Sequence, residues 1–175
     1  MLGLTIPMAL TKEELIASLQ NEVRILLHLA SKVDSKTLEY RPTEKQRSTL
    51  ELLRYMSYMA PMMIPSIKAG AFDMPGFQAA TAAAAELDFD GAVAAIGKQS
   101  VTLAEQLEGF SDEDLRGEIE MFGRKASRGY IIVNLVLCAF AAYRTQLFLY
   151  LKANGHDGLN TMNLWGGQDA PMPAM

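Results

Sequence analysis

The sequence predicts an all-α protein, a four-helix bundle. Three observations predict it. Long segments carry apolar residues at spacings of three and four, two of these segments open on complete helix-capping sequences, and the stretches between them are polar with glycine and proline. The 175 residues, half of them apolar, suit a single domain with a sizeable core.

Thr11-Lys12-Glu13-Glu14 is a capping box, in which a threonine hydroxyl and a glutamate carboxylate satisfy each other's backbone amides. The first helix runs from it to about Val33, with Leu15, Leu19, Val23, Leu26, Ala30 and Val33 as its apolar stripe. Residues 34–47 are polar and form a connection. Ser48-Thr49-Leu50-Glu51 is a second capping box and opens the second helix. That helix is expected to be regular to Ala60 and then kinked or ended by Pro61 and Pro65. Residues 70–76 read as a loop, and residues 79–85 as a helical stretch with little to pack against. The third helix starts near Asp88 or Asp90 and runs to about Leu107, with Val93, Ile96, Val101, Leu103, Ala104 and Leu107 on its apolar face. Residues 118–122 alternate as a short strand or hairpin does. Ser127 caps the fourth helix, which ends near Asn154 at the stop Gly155. The bundle thus spans 11–155. A short apolar leader, 1–10, precedes it. An irregular tail, 156–175, follows it, rich in Gly, Pro, Met and Asn from Asn160 and anchored by Trp165.

Composition excludes several functions. A net charge of −4 without a basic stripe disfavours nucleic acid. The N-terminus lacks the charged region of a signal peptide. Residues 131–142 are apolar but too short to span a bilayer, and they read as the most buried helix of a cytoplasmic protein. Cys138, the single cysteine, lies in that run and reads as a buried small hydrophobe. No phosphate-binding loop, nucleophile elbow or Cys/His pairing is present. Ser127-Arg128-Gly129-Tyr130 reads as a plain helix cap rather than an anion site.

Three stretches together resemble the DinB-like four-helix bundles. These are residues 11–33 followed by Leu38-Glu39-Tyr40-Arg41-Pro42; Ser48 through Glu51-Leu52-Leu53-Arg54-Tyr55; and Tyr143-Arg144-Thr145-Gln146-Leu147 running on to Gly155. The resemblance implies an up-down-down-up bundle, commonly a homodimer. Active members hold a divalent metal between helices two and four on three histidines, and some use it in thiol-dependent transfer or isomerisation. The positions that match those histidines are Tyr55, Ala139 and Tyr143. Imidazole offers a lone pair at neutral pH, whereas neutral phenol is a poor ligand and alanine none. The expectation is therefore a chain without metal or other cofactor, non-catalytic rather than enzymatic. His28 reads as exposed, His156 as a loop residue, and Glu51 as a capping acid.

Two functions follow from that replacement. In one, Tyr55 and Tyr143 simply fill the site of a structural or interaction module. In the other they line a pocket for an amphipathic small molecule, with Ala139 leaving room, Gln146 sharing the face of Tyr143, and Met56, Met59, Met62 and Met63 forming an adaptable wall. A divergent metal-dependent transferase with relocated ligands is the third alternative. Arg144 reads as the partner of an acid on a neighbouring helix or subunit; Arg24, Arg47 and Arg54 read as solvated or paired surface charges.

Overall fold

The computed structural model describes residues 10–170. They are mainly helical, with one small hairpin. The expected leader, except Leu10, and the last five residues of the tail lie outside the described residues.

Helix α1 (Lys12–Ala30) starts at its capping box, with Thr11 Oγ1 accepting the Glu14 amide at 3.1 Å and the Glu14 carboxylate accepting that of Thr11 at 2.8 Å. The stripe Leu15, Leu19, Val23, Leu26 and Ala30 is buried. Helix α2 (Thr49–Met56) opens on the second box. The expected regular run to Ala60 is interrupted earlier, at Ser57 and Tyr58, and α3 (Met59–Ala69) restarts the helix. The restart places Pro61 in a first turn, where no donor is needed. Two glutamines of the later helix Phe89–Glu108 satisfy carbonyls that the break and Pro65 leave without amides. Gln99 Nε2 donates to the Met56 carbonyl at 2.7 Å, and Gln106 Nε2 donates to that of Pro61 at 3.0 Å.

Helix α4 (Met74–Ala85) begins inside the expected loop because Asp73 caps it, accepting from the Gly76 amide at 3.0 Å. Only Ala84 of α4 is buried. Helix α5 (Phe89–Glu108) starts at Asp88 and buries Ile96, Leu103 and Leu107. Val101, expected on that face, is 62% exposed because it lies off the stripe of three and four that they define. After α6 (Asp112–Arg116), strands β1 (Glu118–Met121) and β2 (Arg124–Ser127) form an antiparallel hairpin with Ile119 opposite Ala126. Its tip turns through two left-handed residues, Phe122 (φ 52°) and Gly123 (φ 73°), as a two-residue hairpin of this hand requires.

The last long helix is continuous from Arg128 to Ala153 but contains a π-turn. It comprises α7 (Arg128–Ile132), the π-turn Val133–Leu137 and α8 (Cys138–Ala153). Asn134 Nδ2 donates to the Tyr130 carbonyl at 2.9 Å at the start of that turn. The π-turn adds a residue to one turn, so the buried stripe proceeds in steps of four through Ile132, Val136, Phe140 and Arg144. Two expectations are corrected as a result. Cys138 is exposed, not buried. The helix is not the most buried of the bundle, for only 33% of its most apolar eighteen-residue window is covered. By length and composition alone, its 26 residues would suffice to cross a membrane, more than the run 131–142 suggested.

α1 packs chiefly on α5 and also on α8; α2 and α3 both pack on α5, and α2 closes against α8. Between α1 and α8 the core holds an ion pair. Arg144 Nε donates to Glu22 Oε2 at 2.6 Å, with the two side chains 4% and 11% exposed. The same guanidinium donates to the Leu164 carbonyl and lies 5.0 Å from the Trp165 ring centroid. The acid expected for Arg144 is thus on a neighbouring helix of the same chain.

Beyond Gly155 the chain folds back over α1 through a second π-turn, Met162–Gly166. Trp165 is not the anchor; it is 65% exposed. The anchors are Asn163, 3% exposed, and Arg24, which donates to the Gly166 and Gly167 carbonyls at 2.9 and 3.1 Å. This segment covers His28, so the expectation of an exposed histidine fails. His28 is half-buried and lies 3.1 Å from Asn163 Nδ2 and 3.7 Å from Asp169.

Removing one partner of a buried ion pair strands the other charge and costs about 3–5 kcal/mol. Arg144→Met or Glu22→Leu alone is expected to lose about that much stability. The double variant should lose clearly less than the sum, as read from urea denaturation midpoints.

Candidate functional site

The positions that match the histidines lie where α2 meets α8. Helix α2 is directed by its Ser48 cap, and Tyr55 leaves its last turn beside the break at Ser57. Tyr143 lies on α8, one turn after Ala139. The structure brings the two phenols together: their ring centroids are 5.2 Å apart with planes at 67°, an edge-on contact. Both tyrosines and Ala139 are half-buried against the core. On Tyr55, the Arg47 guanidinium sits 4.0 Å from the ring centroid, a cation–π contact.

The other expected pocket residues go elsewhere. Gln146 does not serve Tyr143; its Nε2 donates to the Tyr150 hydroxyl at 2.5 Å, which in turn donates to the Arg47 carbonyl at 2.8 Å. Met59 is a core residue, 2% exposed. Glu51 caps α2 as expected and also pairs with Arg41 at 3.3 Å. His156 lies in the loop after α8, away from the tyrosines.

The donor set at these positions does not suit a divalent cation. Burial, with Tyr143 next to it, pushes the Tyr55 phenol up to about 12 despite the nearby Arg47, so it stays neutral in ordinary buffers. Ala139 carries no donor. Among the described residues no three His, Cys, Asp or Glu side chains converge as a metal site would require.

Four aromatic residues that the sequence reading passed over extend the pair. Tyr58 contacts Tyr55 at 5.6 Å and Phe77 at 5.3 Å; Phe77 contacts Phe72 at 5.3 Å, and Phe72 reaches Phe122 at the hairpin tip at 5.4 Å. The available signal was the spacing of Tyr58 three residues after Tyr55. On the outer side of Tyr55 an open hollow of about 300 Å³ is lined by Arg47, Glu51, Arg54, Tyr58 and Thr81 among others. Arg54 is not simply a surface charge, since its Nε donates to the Leu87 carbonyl at 2.6 Å. The Tyr58 and Thr81 hydroxyls lie 2.9 Å apart on the wall of this hollow.

No family model matches the chain, and no curated protein does. Among solved structures it is similar to a DinB-like protein, YjoA from Bacillus subtilis. The TM-score is 0.63, with 21% identity over 83% of this chain and 94% of that one. The chain has a DinB-like fold. In this DinB-like fold, a phenol pair occupies the seam between α2 and α8.

A raised phenol favours the protonated protein, so stability contributed by Tyr55 is complete below the ordinary tyrosine value near ~10 and is lost as pH rises towards 12. A tyrosinate absorbance titration should therefore show a phenol that ionises near 12. Tyr55→Phe should remove that step.

Proposed function

We propose that this is a metal-free DinB-like protein, a non-catalytic homodimeric interaction module in which Tyr55 and Tyr143 fill the place that histidine ligands take in metal-holding members. The observation that carries this reading is the edge-on contact of the two rings at 5.2 Å. The contact leaves the seam occupied by aromatic carbon and by two phenol groups. Ala139, one turn before Tyr143, belongs to the same seam and gives the rings room. Such a filled seam contributes stability rather than chemistry, and the function then resides on the surface of the molecule.

Two measurements test the reading. Elemental analysis of protein purified without chelator or metal-affinity tag is expected to find no transition metal. The triple variant Tyr55→His, Ala139→His, Tyr143→His is expected to retain about one equivalent of zinc or nickel per chain. Metal in the unmodified protein would overturn the proposal. A triple variant that folds but binds none would show that the three positions do not form one site.

The hollow beside Tyr55 favours a second reading, a small-molecule site. Arg47 and Arg54 make no carboxylate ion pairs among the described residues and stand beside two phenols, while the Glu51 carboxylate that also lines the hollow is engaged by the Ser48 amide and Arg41, which leaves two cations for an aromatic carboxylate. Benzoate and its larger aryl homologues are the probes. Saturable binding that Arg47→Ala abolishes would support this reading over a purely structural seam.

A further inference from the structure

The hairpin carries a cation on the face that it shares with buried apolar residues. Register sets Met121 opposite Arg124 and Ile119 opposite Ala126, so these four side chains lie on one face, and Glu118, Glu120 and Lys125 lie on the other. Ile119 and Met121 are buried. On the outer face Lys125 pairs with Glu118 at 3.2 Å. Among the described residues Arg124 has no such partner. Its Nη1 donates to the Tyr130 hydroxyl at 3.1 Å, and its guanidinium carbon lies 5.8 Å from the centroid of that ring.

The same cation borders a hollow between the hairpin tip and the start of the last long helix. The hollow holds about 260 Å³ and is walled by Met121, Phe122, Ile131 and Leu135, with Tyr130 and Asn134 as neutral polar groups. Among the described residues that line it, Arg124 is the one that is charged. The hollow is more enclosed than the one beside Tyr55 and shares no residue with it. A shallower basin adjoins it across Arg124 and Tyr130, lined also by Arg116, Lys125 and Ser127, with Glu118 as its one acid. Three cations thus face one carboxylate, on a chain whose net charge is −4. Phe122 is a second departure from an ordinary surface hairpin. Its φ of 52° is a conformation that asparagine or glycine adopts readily and phenylalanine rarely. Packing on Phe72 covers only part of the ring, which stays 63% exposed and forms the outer wall of the hollow.

We propose that this hollow binds a fatty-acid-like anion, its acyl tail among Met121, Phe122, Ile131 and Leu135 and its carboxylate on the Arg124 guanidinium, with Arg116 and Lys125 in the adjoining basin. Both halves of the site are needed to choose that ligand. A neutral apolar body would cover Arg124 without giving it a counter-charge. A bare anion would leave the apolar walls in water. The guanidinium fork matches a carboxylate, and a wall that includes methionine adapts to a flexible chain. The volume lies just below the ~300–1,000 Å³ usual for small-molecule sites, which suits a tail of medium length. The site goes beyond the phenol seam and does not depend on it.

Isothermal titration of the full chain with decanoate, kept below its micelle concentration, is expected to show one saturable site per chain. Decanol has the same tail without the charge, and decyltrimethylammonium has the opposite charge; both should bind more weakly by about tenfold or more, as should decanoate to Arg124→Ala. Phe122→Asn installs a residue that the turn favours, so it should keep the circular dichroism unchanged while weakening decanoate. Absence of saturable decanoate binding, or decanol binding of equal strength, would overturn the proposal. Full affinity in either variant would overturn it too. Loss of decanoate binding in Arg47→Ala but not in Arg124→Ala would move the anion to the hollow beside Tyr55. Sedimentation with phosphatidylcholine–phosphatidylglycerol vesicles without binding of monomeric decanoate would overturn it in favour of a membrane surface.

Discussion

The ion pair between Glu22 and Arg144 is the constraint around which the described part of the chain is arranged. Two charges taken out of water need mutual geometry good enough to offset their desolvation, and every remaining donor needs a partner. The arrangement meets both needs with three separate segments. Helix α1 supplies the carboxylate, α8 the guanidinium, and the returning C-terminal segment the Leu164 carbonyl and the Trp165 face. The relative rotation of α1 and α8 is thereby fixed, because turning either by one residue would point a charge into Leu19, Val23 or Phe140. The C-terminal segment is fixed with them. Without it, one edge of the guanidinium would lack an acceptor, and His28 would lose the cover that Asn163 and Asp169 give it.

How much of this was legible in the sequence depends on whether the signal is local. The capping boxes at Thr11 and Ser48 involve residues three apart and were read correctly, as were the Asp88 start and the hairpin after Glu118. The break falls at Ser57, three residues before the expected end of the regular run at Ala60. Proline marks where a helix cannot continue but not how far back the chain yields, and here Gln99 and Gln106, from a distant helix, decide which carbonyls can be left open. The π-turn at Val133–Leu137 left no sequence signal, and every residue after it is rotated relative to a regular helix. A regular helix would turn Cys138 inward for that reason. The cover over His28 has no local signal either, because the segment that supplies it arrives from more than a hundred residues away. At the site, the meeting of Tyr55 and Tyr143 was foreseen, but the assignments of Gln146 and Met59 assumed free rotamers where Tyr150 and the core already claim them.

The phenol pair illustrates how a seam between helices can be closed without losing its shape. A phenol ring and an imidazole ring have similar reach, so helices spaced for one can accept the other. Their polar ends differ. Imidazole at neutral pH offers a lone pair, whereas a half-buried phenol held well above its usual range offers only a proton and an aromatic face. The Tyr55 face is taken by Arg47 and its edge by Tyr143, which leaves the contact chain to spread outward through Tyr58 to Phe122. That row couples α8, α2, α4 and the hairpin by rings, where a metal would couple helices through one atom.

The π-turn connects the buried ion pair to the uncovered helix face. A regular helix from Ser127 would keep the residues three and four beyond Ile131, and so Cys138, near the core. The extra residue advances the inward stripe to Phe140 and Arg144 and turns Cys138 and Ala142 to solvent. The rotation that delivers the guanidinium to Glu22 is therefore the same rotation that turns the small side chains of Cys138 and Ala142 outward.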